Sequence, residues 1–427
     1  MPTADELPAR ARPEWPGAVI LGAFQTGVVN LRNLVRRGVR TRLVDCDERQ
    51  TGFRSRHGPA LRCPDPDRAP GEWLEAMRSL AADARERPVL LASADQFVTA
   101  IARFAGELRQ WYRVGDGAEL QGALADKDTQ YALAERHGMA MPLTRFVSTR
   151  EQVEAFAAAA MFPCVLKPVH FREWQRLPAD HALSFRKIAV AHDAAELLAQ
   201  HALACAANPQ VIVQEIIQGP DTNKRVYLAH YAADGTRTGH ALFRELRCDP
   251  VGFGSATVSE PVTDPEADAA CDAFLRAIGY RGICEIEVKR DVRDGRVKLI
   301  EANPRLSGGG DAAPNDGVAR AWPHYPPRTG VRPRPAAPLG RDFRHVVLRA
   351  EAHAAVRYWR AGLIGWRELL AAWRPPLAFF DLDWRDPVYS ARTLAAAARA
   401  VLRESLARRN PEYEVAARDA GLTPHRH

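Results

Sequence analysis

The stretch ICEIEVKRDVRDGRVKLIEANPRLSGGG, residues 283–310, decides how the chain is to be read. Two runs that alternate apolar and polar residues flank Asp294-Gly295, the pattern of a β-hairpin. A three-residue loop, Arg293-Asp294-Gly295, puts glycine at the left-handed position that such loops favour. That register sets Glu287 opposite Glu301 and Glu285 opposite Asn303. Residues opposite one another in a hairpin share a face, so three carboxylates and an amide fall together. Ile286, Val288, Ile300 and Ala302 fall on the other face. A two-residue loop would slip the register by one and scatter the acids to both faces. Carboxylates so gathered need positive charge among them. Mg²⁺ suits them, because it takes one or two protein carboxylates and completes its shell with water and substrate phosphates. Pairing with Arg305, Lys289 or a distant arginine would neutralise the face as well. After Asn303-Pro304-Arg305, the glycines Gly308–Gly310 form a loop free of bulky side chains.

Working outward, the chain has 427 residues of which 46% are hydrophobic, enough for two or three domains with a well-buried core. The formal charge of +7 is spread over arginines scattered among acids, either a solvated surface or an attraction toward anionic substrates such as nucleotides. No basic block is interleaved with aromatics, which argues against nucleic acid. The N-terminal stretch MPTADELPARARPEWPGAVI lacks the apolar core of a signal peptide. No window of 18 apolar residues predicts a membrane span. Seven cysteines without CxxC spacing predict free thiols in a reducing cytoplasm. The 13 histidines show no HExxH or paired ligand spacing.

Strand, turn, helix and strand follow one another from residue 18, with strands at 18–21 and 39–44 and Gly22 and Gly27 flanking the turn. The pattern repeats with a strand at 89–92 and a helix capped near Ser93 or Asp95. Alternation of this kind predicts a parallel, Rossmann-like sheet. Its GxxxxG spacing is not a dinucleotide fingerprint. A helix opens near Asp126 or Asp128, stops at Gly138 and is followed by Pro142. Strands are expected at 164–168, 187–192, 211–217, 224–231 and 238–245, with a helix over 193–206. The Pro-rich stretch 323–340 reads as a linker or extended wrap, and helices are expected beyond it to about 405. No internal repeat is present.

Taken in order, these motifs resemble the ATP-grasp superfamily over roughly residues 17–326. Lys127 in ADKDTQYALAERHGMAMP is similar to the family's first nucleotide lysine, and Lys167 in PCVLKP to the second, on a lid strand. VIVQEIIQGPD resembles the hinge strand that holds adenine; by that match Gln214, Glu215 and Ile217 line the base and Asp221 binds ribose. EIEV followed by LIEANPR resembles the metal-binding strand pair, so Glu287, Glu301 and Asn303 carry over as ligands of Mg²⁺, with Mn²⁺ also acceptable. Arg305 would face the transferred phosphate or the acyl substrate. The fold so implied is α/β (α+β): a Rossmann-like domain over 1–125, an ATP-grasp domain over 126–326 with its lid at about 130–215, and a linker with helical extension over 327–427. Within the superfamily the chain looks most like carboxylate–amine ligases related to D-aspartate ligase, and the tail from Arg357 to Pro387 is similar to their extension.

That resemblance implies a cytoplasmic enzyme that uses ATP to join a small carboxylate to an amine, an amino acid or peptide, through an acyl phosphate. A homo-oligomer is compatible with it. An ATP-dependent carboxylase working through carboxyphosphate and a non-catalytic ATP-binding module are the rival readings. Arg244 and Arg247 resemble the arginines that orient the γ-phosphate or the carboxylate; a surface strand with alternating charge is the plainer reading. Lys127 also reads as an exposed lysine and Asp221 as a turn residue, whereas Lys167 interrupts an apolar strand. One departure stands out: residues 169–186, where the family carries a glycine-rich loop, contain no glycine. Arg172, Arg176, His181 and Arg186 there are open to three readings: phosphate contacts, neighbours of an acidic acceptor, or parts of an exposed flap.

Overall fold

The computed structural model describes residues 17–308 and 343–406, apart from 37–38, 58–59, 83, 85, 170–171, 176, 185, 187 and 384. The Pro-rich stretch 323–340, Gly309, Gly310, Arg176 and the side chain of Arg172 lie outside the described residues. Three sheets carry the chain. The first is parallel, ordered β3-β2-β1-β4, and is built from β1 (Ala18–Leu21), β2 (Thr41–Asp45), β3 (Leu61–Arg62) and β4 (Val89–Ala92). The strands β1, β2 and β4 carry buried residues on both faces, packed against helices as a crossover-connected parallel sheet requires, while the edge strand β3 is exposed. Gly27 lies inside the first turn of the helix Gln25–Arg36 rather than in the preceding loop. A Cβ there would stand 1.9 Å from the Gly22 carbonyl oxygen, so close packing of helix on turn demands glycine. Ser93 caps nothing: its hydroxyl donates to the Leu21 and Gly22 carbonyls, and Ala94 precedes the helix Asp95–Arg103 without a side-chain cap.

The second sheet is ordered β5-β8-β6-β7, from β5 (Thr144–Val147), β6 (Cys164–Pro168), β7 (Ala189–Ala191) and β8 (Val211–Glu215). The helices Arg150–Ala159 and Ala194–Ala204 cover one face, each started by a side-chain cap, Thr149 and Asp193. The glycine-free stretch is packed rather than loose at three points. Trp174, Leu177 and Leu183 are buried in the core of this sheet.

The third sheet has seven strands ordered β13-β12-β9-β10-β11-β14-β15. Its members are β9 (Lys224–Tyr231), β10 (Arg237–Asp249), β11 (Ser255–Pro261), β12 (Gly282–Arg290), β13 (Val297–Asn303), β14 (Arg344–Val346) and β15 (Leu377–Phe379). The sequence pattern missed β11, and it missed that the C-terminal part is not helical throughout: β14 and β15 extend this sheet. One face packs Tyr227, Ile286, Val288 and Leu299 against the helix Pro265–Ala277 and the helix Lys127–Arg136. The C-terminal part also returns to the first sheet. There Asp383 meets Arg32 at 3.4 Å, Arg36 at 3.3 Å and His57 at 2.7 Å, while Asp386 accepts from Arg56 N. The buried pair Arg247–Glu351 joins β10 to the helix Leu348–Arg360.

Candidate active site

The hairpin β12–β13 pairs Glu285 with Asn303 and Glu287 with Glu301, as the alternation predicts. The turn is not the expected one. Asp291 N donates to Arg296 O and Gly295 N to Asp291 O, which makes a four-residue loop; Gly295 still has φ of 71°. A bulge between Glu287 and Val288, with Ile300 as the extra residue, then resets the register. The bulge turns Leu299 and Val297 into the core and leaves Ile300 only partly buried. Two deviations thus cancel, and the acids end on one face.

Lateral pairing extends that face. Glu287 lies opposite Val226 and Lys289 opposite Lys224 on β9, and Val226 lies opposite Phe243 on β10. Glu245 therefore shares it, and its carboxylate stands 3.4 Å from Lys224 Nζ, which also lies 3.5 Å from Asp221. The floor so built carries Asp221, Glu245, Glu285, Glu287 and Glu301. Asp221 Oδ1 and Glu245 Oε2 are buried without a hydrogen bond. Burial and the charges of Glu245, Glu285 and Glu301 hold the Glu287 carboxyl well above the usual range. Asn303 donates to Glu285 at 3.4 Å and accepts from Arg305 at 3.0 Å. Among the described residues no group of three or more His, Cys, Asp and Glu side chains gathers tightly enough to form a metal cage. Mg²⁺ asks for less: two carboxylates and the Asn303 amide oxygen, with water and phosphate completing the shell, suit this oxygen-rich, negatively overcharged floor.

Lysines approach from two sides. Lys127, first residue of a helix capped by Asp126, lies 3.9 Å from Glu301. Lys167 shares a face of the second sheet with Gln214, since Val165 pairs with Gln214 and Lys167 with Ile212. Its ammonium donates to Gln214 Oε1 at 2.9 Å and to Tyr131 Oη at 3.4 Å. Tyr131 in turn donates to Ile300 O at 3.1 Å, so two hydrogen bonds through Tyr131 link Lys167 to the acid-bearing strand. Burial pulls the Lys167 ammonium down to about 8, against a weaker opposing pull from Glu301.

The remaining candidates divide. Glu215 sits on the opposite face of the second sheet from Gln214, buried, and accepts from Met161 N at 2.8 Å. The segment that follows, with Ile217, is held by the hairpin turn: Arg293 donates to Ile216 O and Val292 N to Gln218 O. Asp221 is only 2% exposed, and its carboxylate accepts from Tyr358 of the C-terminal part. Arg305 spans Asp95, at the head of the helix Asp95–Arg103, and Asn303, so it stands at the junction of the first and third sheets. Arg244 is not brought to the acids. It alternates with Phe243 and Glu245, faces the side of Leu242, and is paired with Glu260, which also binds Arg344. Arg247 is 2% exposed and bonded to Glu351.

Lys224, Glu245 and Tyr131 are residues that sequence reading passed over, and Asp95 reads in the sequence only as a helix cap. In ALFRELR both alternating sets hold an apolar and a charged residue, so the pattern cannot say which set faces the acids. Lys224 had a readable signal, as the first of the set Lys224, Val226 and Leu228 laid against the acid-bearing strand.

No family model matches the chain. It is 26% identical over 248 residues to the D-aspartate ligase of Enterococcus faecium (strain Aus0004), a match covering 55% of this chain and 58% of that protein, less than two thirds of its length. Among solved structures, the N5-carboxyaminoimidazole ribonucleotide synthetase of Thermus thermophilus is similar with a TM-score of 0.55 and 16% identity, over 76% of this chain and 81% of that one. The L-amino acid ligase of Bacillus licheniformis gives 0.53 and 13% over 70% and 69%. The N5-carboxyaminoimidazole synthetase of Staphylococcus aureus, complexed with ADP, gives 0.53 and 14% over 71% and 74%. At such identities the structural likeness speaks for the fold. The chain has the ATP-grasp fold, and in sequence it is similar to a D-aspartate ligase.

Proposed function

We propose that the protein is an ATP-dependent carboxylate–amine ligase acting in the cytoplasm on small substrates, one contributing a carboxylate and the other an amine of an amino acid or peptide. The observation that carries this reading is the carboxylate floor on the third sheet, overlooked by Lys167 of the second sheet and flanked by Lys127. Such a surface is built for a polyanion that arrives with its own cation. Lys127 and Lys167 act as point charges on the phosphates, and Gln214 with the backbone of Glu215–Ile217 borders the base. Asp221 fits a different role from a ribose contact, because Lys224 and Tyr358 engage it inside the protein: it fixes Lys224. Arg244 is left out of the catalytic set because it faces the far side of the sheet. Glu287, Glu301 and Asn303 would hold Mg²⁺, which when bound neutralises and orients the phosphates.

The reaction then needs no protein nucleophile. The substrate carboxylate attacks the γ-phosphorus, ADP leaves, and the amine displaces phosphate from the acyl phosphate to give an amide. The protein contributes position and charge. Arg305, already turned between Asp95 and Asn303, is placed to meet the carboxylate or the transferred phosphoryl group. Likeness in fold to N5-carboxyaminoimidazole ribonucleotide synthetases supports a second reading, in which bicarbonate is the acid and carboxyphosphate the intermediate. A screen of amino acids and short peptides, with ATP and Mg²⁺, for ADP release tests the first reading; incorporation of labelled bicarbonate into product would favour the second. ATP binding without ADP release from any mixture would contradict both.

A further inference from the structure

The C-terminal helix Pro387–Leu406 is apolar on the side that ought to be wet. Its inward face is Tyr389, Thr393, Ala397, Ala400 and Glu404. Diametrically outward, at alternating spacings of three and four residues, lie Val388, Ala391, Ala395, Ala398 and Leu402, all exposed, with Leu402 60% accessible. Leu394 and Val401 border this row on one side, and Arg392, Arg399 and Arg403 on the other, all exposed. The helix has one acid, Glu404, and it is turned inward to Arg357 and His353. A solvated helix normally carries its charges at the centre of the outward face.

A second exposed apolar group adjoins its end. Arg360 closes the helix Leu348–Arg360 and donates to the Glu404 and Ser405 carbonyls, which ties the end of that helix to the end of the C-terminal one. Trp359 is 52% exposed, and Trp366 and Leu370, on the short helix that follows, are 62% and 61% exposed. Arg367 lies over the Trp366 ring at 5.3 Å, and Arg374 is exposed beyond it.

We propose that this face is a peripheral docking surface for an anionic lipid membrane. The charge decides between occupants. A second copy meeting the helix row would bring arginines to arginines with no exposed acid on that helix to pair them. An anionic surface neutralises all of them. Exposed tryptophans and leucines supply the part that enters the headgroup boundary, the composition of an interfacial helix. Among the described residues no helix is long and apolar enough to cross a membrane, so the attachment is to the surface.

The test uses the full chain, co-sedimented with vesicles of phosphatidylcholine alone and of phosphatidylcholine mixed with phosphatidylglycerol. Binding is expected to the anionic vesicles only and to be released by salt, which screens charge beyond about 8–10 Å. Arg392→Glu with Arg399→Glu should weaken it by more than roughly 25-fold, at about fivefold for each arginine removed near the surface. Leu402→Glu should abolish it, and both variants should keep the parent's circular dichroism and ADP release. Failure to pellet with anionic vesicles at low salt, or unchanged binding by the arginine variant, would overturn the proposal. So would a concentration-dependent dimer in sedimentation velocity that Leu402→Glu dissolves, because the face would then belong to a second copy.

Discussion

At the scale of single side chains, Glu301 and Lys167 separate the proposed chemistry from stability. Glu301→Gln keeps shape but removes one carboxylate charge from an overcharged floor. ADP formation should fall to background while the melting temperature is unchanged or rises, since the like charges raising Glu287 are relieved. Normal turnover at ordinary magnesium would remove Glu301 from the site. For Lys167, burial is a cost to the free protein: its folded value, about 8, lies below the unfolded value for lysine, so this group adds stability only as pH rises above 8. Lys167→Ala should therefore weaken ATP binding by roughly ten- to a hundredfold without lowering thermal stability at neutral pH. Phosphates favour the charged form, so ATP affinity in the parent should hold below pH 8 and fall by up to about tenfold per unit above it. Calorimetry across pH 7–10 checks this, and a flat affinity in the parent would place Lys167 away from the phosphates. Lys167 stands out in the sequence because it interrupts an apolar run. Chemical type singled out Arg244, whereas its place in the alternation puts it on the face of the strand away from Glu245 and the other acids.

At the scale of elements, the hairpin shows what alternation can and cannot give. Pairing of Glu287 with Glu301 followed from which residues had to be dry, and that demand held although the turn was longer than expected. The bulge at Ile300 has no sequence mark, being needed only because the turn added a residue. Similarly β14 and β15 are three-residue strands that gain their pairing from the sheet they join, too short for a period of two to appear. The joint between that sheet and the C-terminal helices rests on Arg247 and Glu351, 2% and 0% exposed. Glu351→Ala leaves a buried guanidinium unpaired and should cost about 3–5 kcal/mol in denaturant unfolding. Arg247→Met with Glu351→Leu should recover most of that loss. No recovery in the double variant would mean that the pair does more than hold the helix to the strand.

For the molecule as a whole, order along the chain was the readable quantity. A strand–helix alternation, a lysine at a helix head, a lysine on a strand and an acid-bearing hairpin occur in sequence, and the three sheets place them around one floor. Less legible was the return of the C-terminal part to the first sheet through Asp383 and Asp386, because contacts between residues more than three hundred positions apart leave no local pattern. In the function proposed, the floor, its lysines and Arg305 serve transfer of the γ-phosphoryl group to a carboxylate. Once an acid and amine pair that releases ADP is found, the acid labelled with oxygen-18 in its carboxylate tests this directly. The attacking oxygen must leave with phosphate when the amine arrives, so ADP is expected as the sole nucleotide product, with one labelled oxygen in each inorganic phosphate. AMP with pyrophosphate, or unlabelled phosphate during amide formation, would contradict it.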